Sequence, residues 1–423
     1  MPTLERLVVG RRDRRVTAST ALEGGPASRT ERAFPALDGM RALAATAVLL
    51  THVAFWTGDY TPDLPGRIFA RFDVGVPIFF VLSGFLLSRP LFLAAREHRP
   101  APRTAAYLWR RALRILPAYW LTVVAALLLL PQNDGAGPGT WLRQFTLTQI
   151  YGAGHLREGL SHTWSLSTEL AFYLALPLVG GALVRLARVR PERPARVLVA
   201  LAVLTVLSLA WITWIRSSDL LSGGAPDLWL PSFGGWFAAG MLLAVLSVAD
   251  ADWRPVRIAS ELGESLATCW TAAGALFWIA TGPIAGPTTL EPPTASEAVL
   301  KNVLYLGVAA LLVLPLVFGD QRSGWVRPLL ASPPARYLGE ISYGLFLVHV
   351  VVLAGGYALL GLVQFNGDLP TVATVTWLVS VGVAAAIYRW VERPIRRWRT
   401  VVSDRPGTHS EATTAVTATS ART

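Results

Sequence analysis

The chain has 423 residues, 53% of them hydrophobic and only 15% charged, with a formal net charge of +11. Soluble domains carry about 25% charged residues, so this composition excludes an ordinary soluble enzyme and points to a multi-span membrane protein. All but one of the 38 basic residues are Arg and they cluster between apolar spans, which favours membrane lipids and an anionic small molecule as partners over nucleic acid.

Residues 1–33 are basic and polar, and their apolar run LERLVVG is too short for a signal-peptide core, so a disordered cytoplasmic arm is expected. Ten apolar spans follow, over approximately 37–56, 72–92, 113–131, 164–187, 196–215, 228–248, 267–284, 300–318, 338–360 and 371–391. The span at 228–248 contains Pro231 and Gly234-Gly235, and the next ends at Gly282-Pro283, a helix stop. The predicted fold class is therefore all-α, a polytopic membrane helix bundle of about ten transmembrane helices in the cell membrane. An integral membrane domain over 34–398 is followed by a Thr/Ala/Ser-rich tail, 399–423, expected to be disordered. Placing the amino terminus in the cytoplasm puts 29 basic residues on inner segments and 6 on outer ones, with Arg41, Arg89 and Arg114 just inside spans. That asymmetry predicts both termini inside. Cys269, the only cysteine, sits in an apolar span and reads as a packing residue.

The first span, FPALDGMRALAATAVLLTHVAFW, carries Arg41 near one end and His52 near the other. Eleven residues of helix put both on one stripe, ~16 Å apart along the axis. A charge and a titratable ring in a membrane helix are costly unless they face a cavity or a partner. Asp38, one turn before Arg41, is its expected partner and the structural reading of both. In the second span Ser83-Gly84 offers a small-residue helix contact. At the mouth of the third, Arg110, Arg111 and Arg114 are helical neighbours able to bind phosphate, although the positive-inside rule alone would place them there; Pro117 falls in the expected first turns. The fourth span, SHTWSLSTELAFYLALPLV, carries Glu169 at a depth resembling that of His52, which makes Glu169 the expected partner orienting that ring. His162 reads as a loop residue. In the ninth span Ser342 and His349 share a helix face, with His349 near mid-membrane, and Glu392-Arg393-Pro394 closes the tenth as an ion pair and stop.

Taken together these stretches resemble the acyltransferase-3 family of membrane O-acyltransferases. LDGMRALAATAVLLTH is similar to that family's LDGLRG…H signature, FFVLSGFLLSRP to its FFVLSGFL segment, and RRALRILPAYW to its basic RxxR loop and following Pro-Ala-Tyr-Trp. HTWSLSTELAFY, LGEISYGLFLVHV and VERPIRRW resemble its later motifs, in family order from residue 35 to 398. The chain departs from the family where paired carboxylates are usual: Glu169 is followed by Leu170 and Ala171.

The resemblance implies transfer of an acyl group, acetyl or another short acyl, from cytosolic acyl-CoA to a hydroxyl of a surface carbohydrate, glycolipid or glycosylated metabolite. Acyl-CoA would be a co-substrate; no bound cofactor or metal is implied. His52 would be the general base with Glu169 orienting it. Arg41, Asp38, Arg110, Arg111, Arg114, Ser342 and His349 would line the substrate path. A covalent acyl-histidine relay fits the same residues. A bundle with buried His, Arg and Glu would also suit a transporter or flippase for a glycan or lipid-linked sugar.

Overall fold

The computed structural model describes residues 34–152, 154–218, 225–288 and 291–402. The arm expected over 1–33 and the tail beyond 402 lie outside them. Ten helices form the bundle: α1 (Ala36–Thr57), α2 (Gly75–Arg96), α3 (Thr104–Leu129), α4 (Trp164–Arg188), α5 (Ala195–Arg216), α6 (Leu230–Val248), α7 (Leu266–Ala280), α8 (Ala295–Phe318), α9 (Pro333–Leu360) and α10 (Leu369–Ile387). Among the described residues all but α7 are long and apolar enough to cross a membrane. Each expected span has its helix. The least regular span starts cleanly, because Pro231 falls in the first turn of α6, where its missing N–H costs nothing. α3 begins about nine residues before its expected start, which makes Pro117 an interior residue rather than a first-turn one.

Local chemistry sets the ends. Gly58 closes α1 in the left-handed conformation at φ 87°, a geometry that favours glycine. Thr294 and Glu297 form a reciprocal capping box at the start of α8, and the Asp368 carboxylate accepts from the Thr371 N–H at the start of α10, 3.0 Å away. Past Ile387 the last helix widens into a π-turn over Tyr388–Glu392 before Arg393.

α1 is the hub, packed against α2, α9 and α10. Its crossing with α9 is a backbone-to-backbone approach: a Cβ on Gly339 would run into the Asp38 carbonyl oxygen. The α2–α6 crossing is equally close. A Cβ on Gly84 would meet the Phe237 carbonyl and one on Gly240 the Val81 carbonyl, so the small-residue contact expected at Ser83-Gly84 is made. Phe80, Phe237 and Phe172 stack beside it, with ring centroids 4.5 and 4.0 Å apart.

α7 has 15 residues, about 22 Å of helix against a hydrocarbon core of ~30 Å. Two buried arginines bracket it. Arg71 Nε donates to the Ala280 carbonyl at 2.8 Å and Nη2 to that of Ala285 at 3.2 Å. Arg327 Nε donates to the Pro315 carbonyl at 3.1 Å, Nη1 to Ser323 Oγ at 2.8 Å and Nη2 to the Gly263 carbonyl. Backbone carbonyls freed where a short helix ends inside apolar surroundings are thereby satisfied.

Candidate active site

Two groups of side chains meet inside the bundle. The first lines a cavity of about 350 Å³ among α1, α2, α3, α4 and α9. Five arginines border it (Arg41, Arg111, Arg114, Arg396 and Arg399) against three carboxylates, Asp38, Glu169 and Glu340. An excess of positive charge in a partly apolar enclosure favours an anionic ligand, because the surroundings screen it less than water would. Farther in, the walls become apolar at Phe79, Phe80 and Phe346.

The arginines differ in how they are held. Arg114 is tied down: its Nη1 donates to the buried Glu392 carboxylate and Nη2 to the Glu340 carbonyl at 3.3 Å. Glu392 therefore pairs with Arg114 across the bundle, and with Arg396 at 4.0 Å, rather than with its neighbour Arg393. Arg41 and Arg111 are only half-buried and, among the described residues, neither makes a hydrogen bond or ion pair. Arg111 Nε is buried without a partner. Asp38 and Arg41 share the cavity wall but form no ion pair, which corrects the expected pairing. Arg110 does not line the cavity; one helical step turns it away from the face that Arg111 and Arg114 present, and Arg396 and Arg399 take its place. Their signal was present in RPIRRWR, read only as a closing motif.

Glu169 corrects a second expectation. Its Oε1 accepts from Ser83 Oγ and from Tyr173 OH, so it faces the arginine cavity and not His52. Ser342, expected on the substrate path, is fully buried and donates to the Gly339 carbonyl at 2.8 Å; it does not line the cavity.

The second group lies just beyond Phe346. His52, His162 and His349 pack ring against ring, with centroids 5.0 Å apart for His52–His349, 4.7 Å for His162–His349 and 5.8 Å for His52–His162. Phe346 touches two of them, its centroid 5.1 Å from His162 and 6.0 Å from His349. His162 lies just outside α4, in the short turn Ser161–Thr163, but it is buried at 3% exposure rather than solvated, with both ring nitrogens unpartnered. Local spacing could not reveal this, since the other two histidines come from α1 and α9. Among the described residues no set of three His, Cys, Asp or Glu side chains is arranged to hold a metal ion.

The hydrogen bonds fix a tautomer. His52 Nδ1 lies 2.7 Å from the Val48 carbonyl oxygen, which can only accept, so Nδ1 carries the proton. His349 Nδ1 donates in the same way to the Phe346 carbonyl at 2.7 Å, leaving its Nε2 to accept from His52 Nδ1 at 3.3 Å. The lone pair of His52 is then on Nε2, which no protein group engages among the described residues. A ring locked through Nδ1–H with a free basic Nε2 is arranged to take a proton.

Comparison with known proteins places the chain among acyltransferases. A family described as an acyltransferase domain matches residues 34–389. The chain is 26% identical over 380 residues to acyltransferase MdmB of Streptomyces mycarofaciens, covering 78% of this chain and 81% of that one. It is 24% identical over 388 residues to peptidoglycan O-acetyltransferase OatA of Listeria monocytogenes, covering 86% of this chain and 56% of the relative. A putative O-acetyltransferase of Staphylococcus aureus is 22% identical over 394 residues, which span 58% of its length. No solved structure matches the chain.

Proposed function

The chain belongs to the acyltransferase-3 family of membrane-bound O-acyltransferases, and from that premise we propose that it moves a short acyl group from cytosolic acyl-CoA to a hydroxyl of a carbohydrate or glycoside, with His52 as general base. Family membership favours this over the transporter alternative. In this reading the arginine-rich end faces the cytosol and takes the phosphates of the donor's nucleotide, with Arg111 and Arg41 free to bind and Arg114 held as part of the wall. Guanidinium groups suit phosphate because their paired N–H groups match its oxygens. The apolar inner walls suit the pantetheine arm and the short acyl chain, delivering the thioester toward Phe346 and the histidines.

His52 Nε2 takes the acceptor hydroxyl proton as the oxygen attacks the thioester carbonyl. The C–O bond forms, the C–S bond breaks, and the proton passes from Nε2 to the departing thiolate. The Val48 carbonyl and His349 hold the ring through Nδ1–H, the orienting part that the sequence assigned to Glu169. Glu169, on the cavity with Arg41 and Arg111, offsets their charge when no donor is present.

The observation that supports the reading best is the locked Nδ1–H of His52 with its unengaged Nε2. His52→Ala is expected to lower acyl transfer by at least about a hundredfold in purified, membrane-reconstituted protein while acyl-CoA binding stays within twofold. General base catalysis contributes roughly 10²–10⁴-fold. Retention of more than a tenth of the wild-type rate by a well-folded variant removes His52 from the chemistry.

A further inference from the structure

At the end of the bundle opposite the arginines lies a second cavity, of about 300 Å³, which the mechanism above does not use. It sits where α4, α6 and α8 begin and α5 ends, over the segment leading into α2. Its lining is partly apolar and aromatic, with Trp164, Phe233 and Val76 among its residues. Trp164 and Phe233 lie 5.2 Å apart between centroids, at 34°. Two ion pairs stand on its walls. Lys301 Nζ meets Asp73 Oδ2 at 2.7 Å and Arg216 Nη2 meets Asp227 Oδ2 at 2.8 Å. All four side chains are partly exposed, between 16% and 38%, so each keeps hydrogen-bonding capacity for a ligand. The wall behind them is fixed: Tyr305 OH donates to Asp73, Trp236 Nε1 to the Asn302 carbonyl at 3.0 Å, and Asn302 Nδ2 to the Ser232 carbonyl at 3.1 Å.

This chemistry is selective. Two cations and two anions cancel, so the cavity has no preference for the polyanions that suit the arginine side. Four charged groups in the walls exclude a plain hydrocarbon chain, whose entry would desolvate them without return. An aromatic lining with paired donors and acceptors fits a neutral, many-hydroxyl ring with apolar C–H faces. The volume falls at the small end of the range for ligand pockets, suited to a ring rather than a chain. The position also fits. Val76 borders both cavities, and Phe233 packs against Phe80 of the arginine cavity at 5.7 Å.

We propose that this cavity is the acceptor subsite and that it holds a neutral sugar ring on Trp164 between the Asp73–Lys301 and Arg216–Asp227 pairs. The proposal rests on the acyl-transfer reading above. Donor and acceptor would then approach His52 from opposite ends of the bundle, through compartments of different charge.

The test uses full-length protein in lipid nanodiscs, acetyl-CoA as donor and methyl N-acetyl-β-glucosaminide and methyl β-glucopyranoside as acceptor probes. Glycoside binding is read without donor by saturation-transfer NMR, and KM is measured for each substrate. Trp164→Leu, and Lys301→Gln as a variant that keeps the aromatic lining, are expected to raise the glycoside KM at least tenfold and to erase the saturation-transfer signal. The acetyl-CoA KM should stay within twofold. The proposal is overturned by an unchanged glycoside KM in either folded variant, by an equal rise in donor KM, or by no glycoside binding to the wild-type protein. Wild-type protein that binds the glycosides yet transfers acetyl to neither of them defeats the carbohydrate-acceptor reading itself, and the proposal with it.

Discussion

Two pairs of arginines in this bundle illustrate opposite uses of the same side chain. Arg71 and Arg327 are 3% and 2% exposed and spend their donors on backbone carbonyls around the short helix α7. Arg41 and Arg111 are half-buried, border the cavity of about 350 Å³, and carry no protein hydrogen bond among the described residues. The first pair completes the architecture; the second leaves a deficit that a ligand can fill. The difference in burial goes with a difference in the fate of the five N–H groups, and it is the latter that sets the role.

Removing an architectural arginine tests the contrast most strongly. Arg327→Ala or Arg71→Ala orphans two or more buried carbonyls, each costing about 1–3 kcal/mol. The expected result is a fall in Tm of several degrees and a sharp loss of folded yield in detergent, with specific activity per folded molecule preserved. An unchanged Tm would dissolve the distinction. Arg114 stands between the two classes, since it lines the cavity but is paired with Glu392. Arg114→Gln leaves the 3%-exposed Glu392 without its main partner, and breaking a buried pair costs roughly 3–5 kcal/mol. Lower Tm and a raised donor KM should appear together, and Glu392→Gln in the same chain should restore part of the Tm but not the KM. The smallest effect belongs to the free pair. Arg111→Gln should leave Tm within about 2 °C and raise the acyl-CoA KM about tenfold, the ~1.4 kcal/mol of one charge-assisted contact. Arg110→Gln, one position away and off the cavity, should shift that KM less than twofold. Equal effects at 110 and 111 would mean that diffuse positive charge, not a docking geometry, attracts the donor.

The bundle was legible because hydropathy over twenty residues is a strong signal, and even the irregular α6 and the early stop of α7 at Gly282-Pro283 were readable from Pro and Gly positions. That Arg111 and Arg114 share a helix face could be framed from helical spacing, and both line the cavity. What spacing could not supply were the partners. His162 joins His52 and His349 across three helices far apart in the chain, Glu169 turns to Ser83 and Tyr173, and Glu392 reaches back to Arg114. Counting charges by segment also treated Arg71 and Arg327 as surface residues that set orientation, when both are internal braces.

The π-turn at Tyr388–Glu392 has a consequence for how this chain tolerates length change. A π-turn is one residue inserted into an α-helix, so it rotates everything after it by about 100°. That rotation aims Glu392 inward at Arg114 and lets Arg396 and Arg399 reach the cavity. Deleting one residue there would preserve composition and almost all of the contacts, yet would swing the whole basic end off the arginine-lined cavity. In this stretch a gap of a single residue is a larger change than most substitutions.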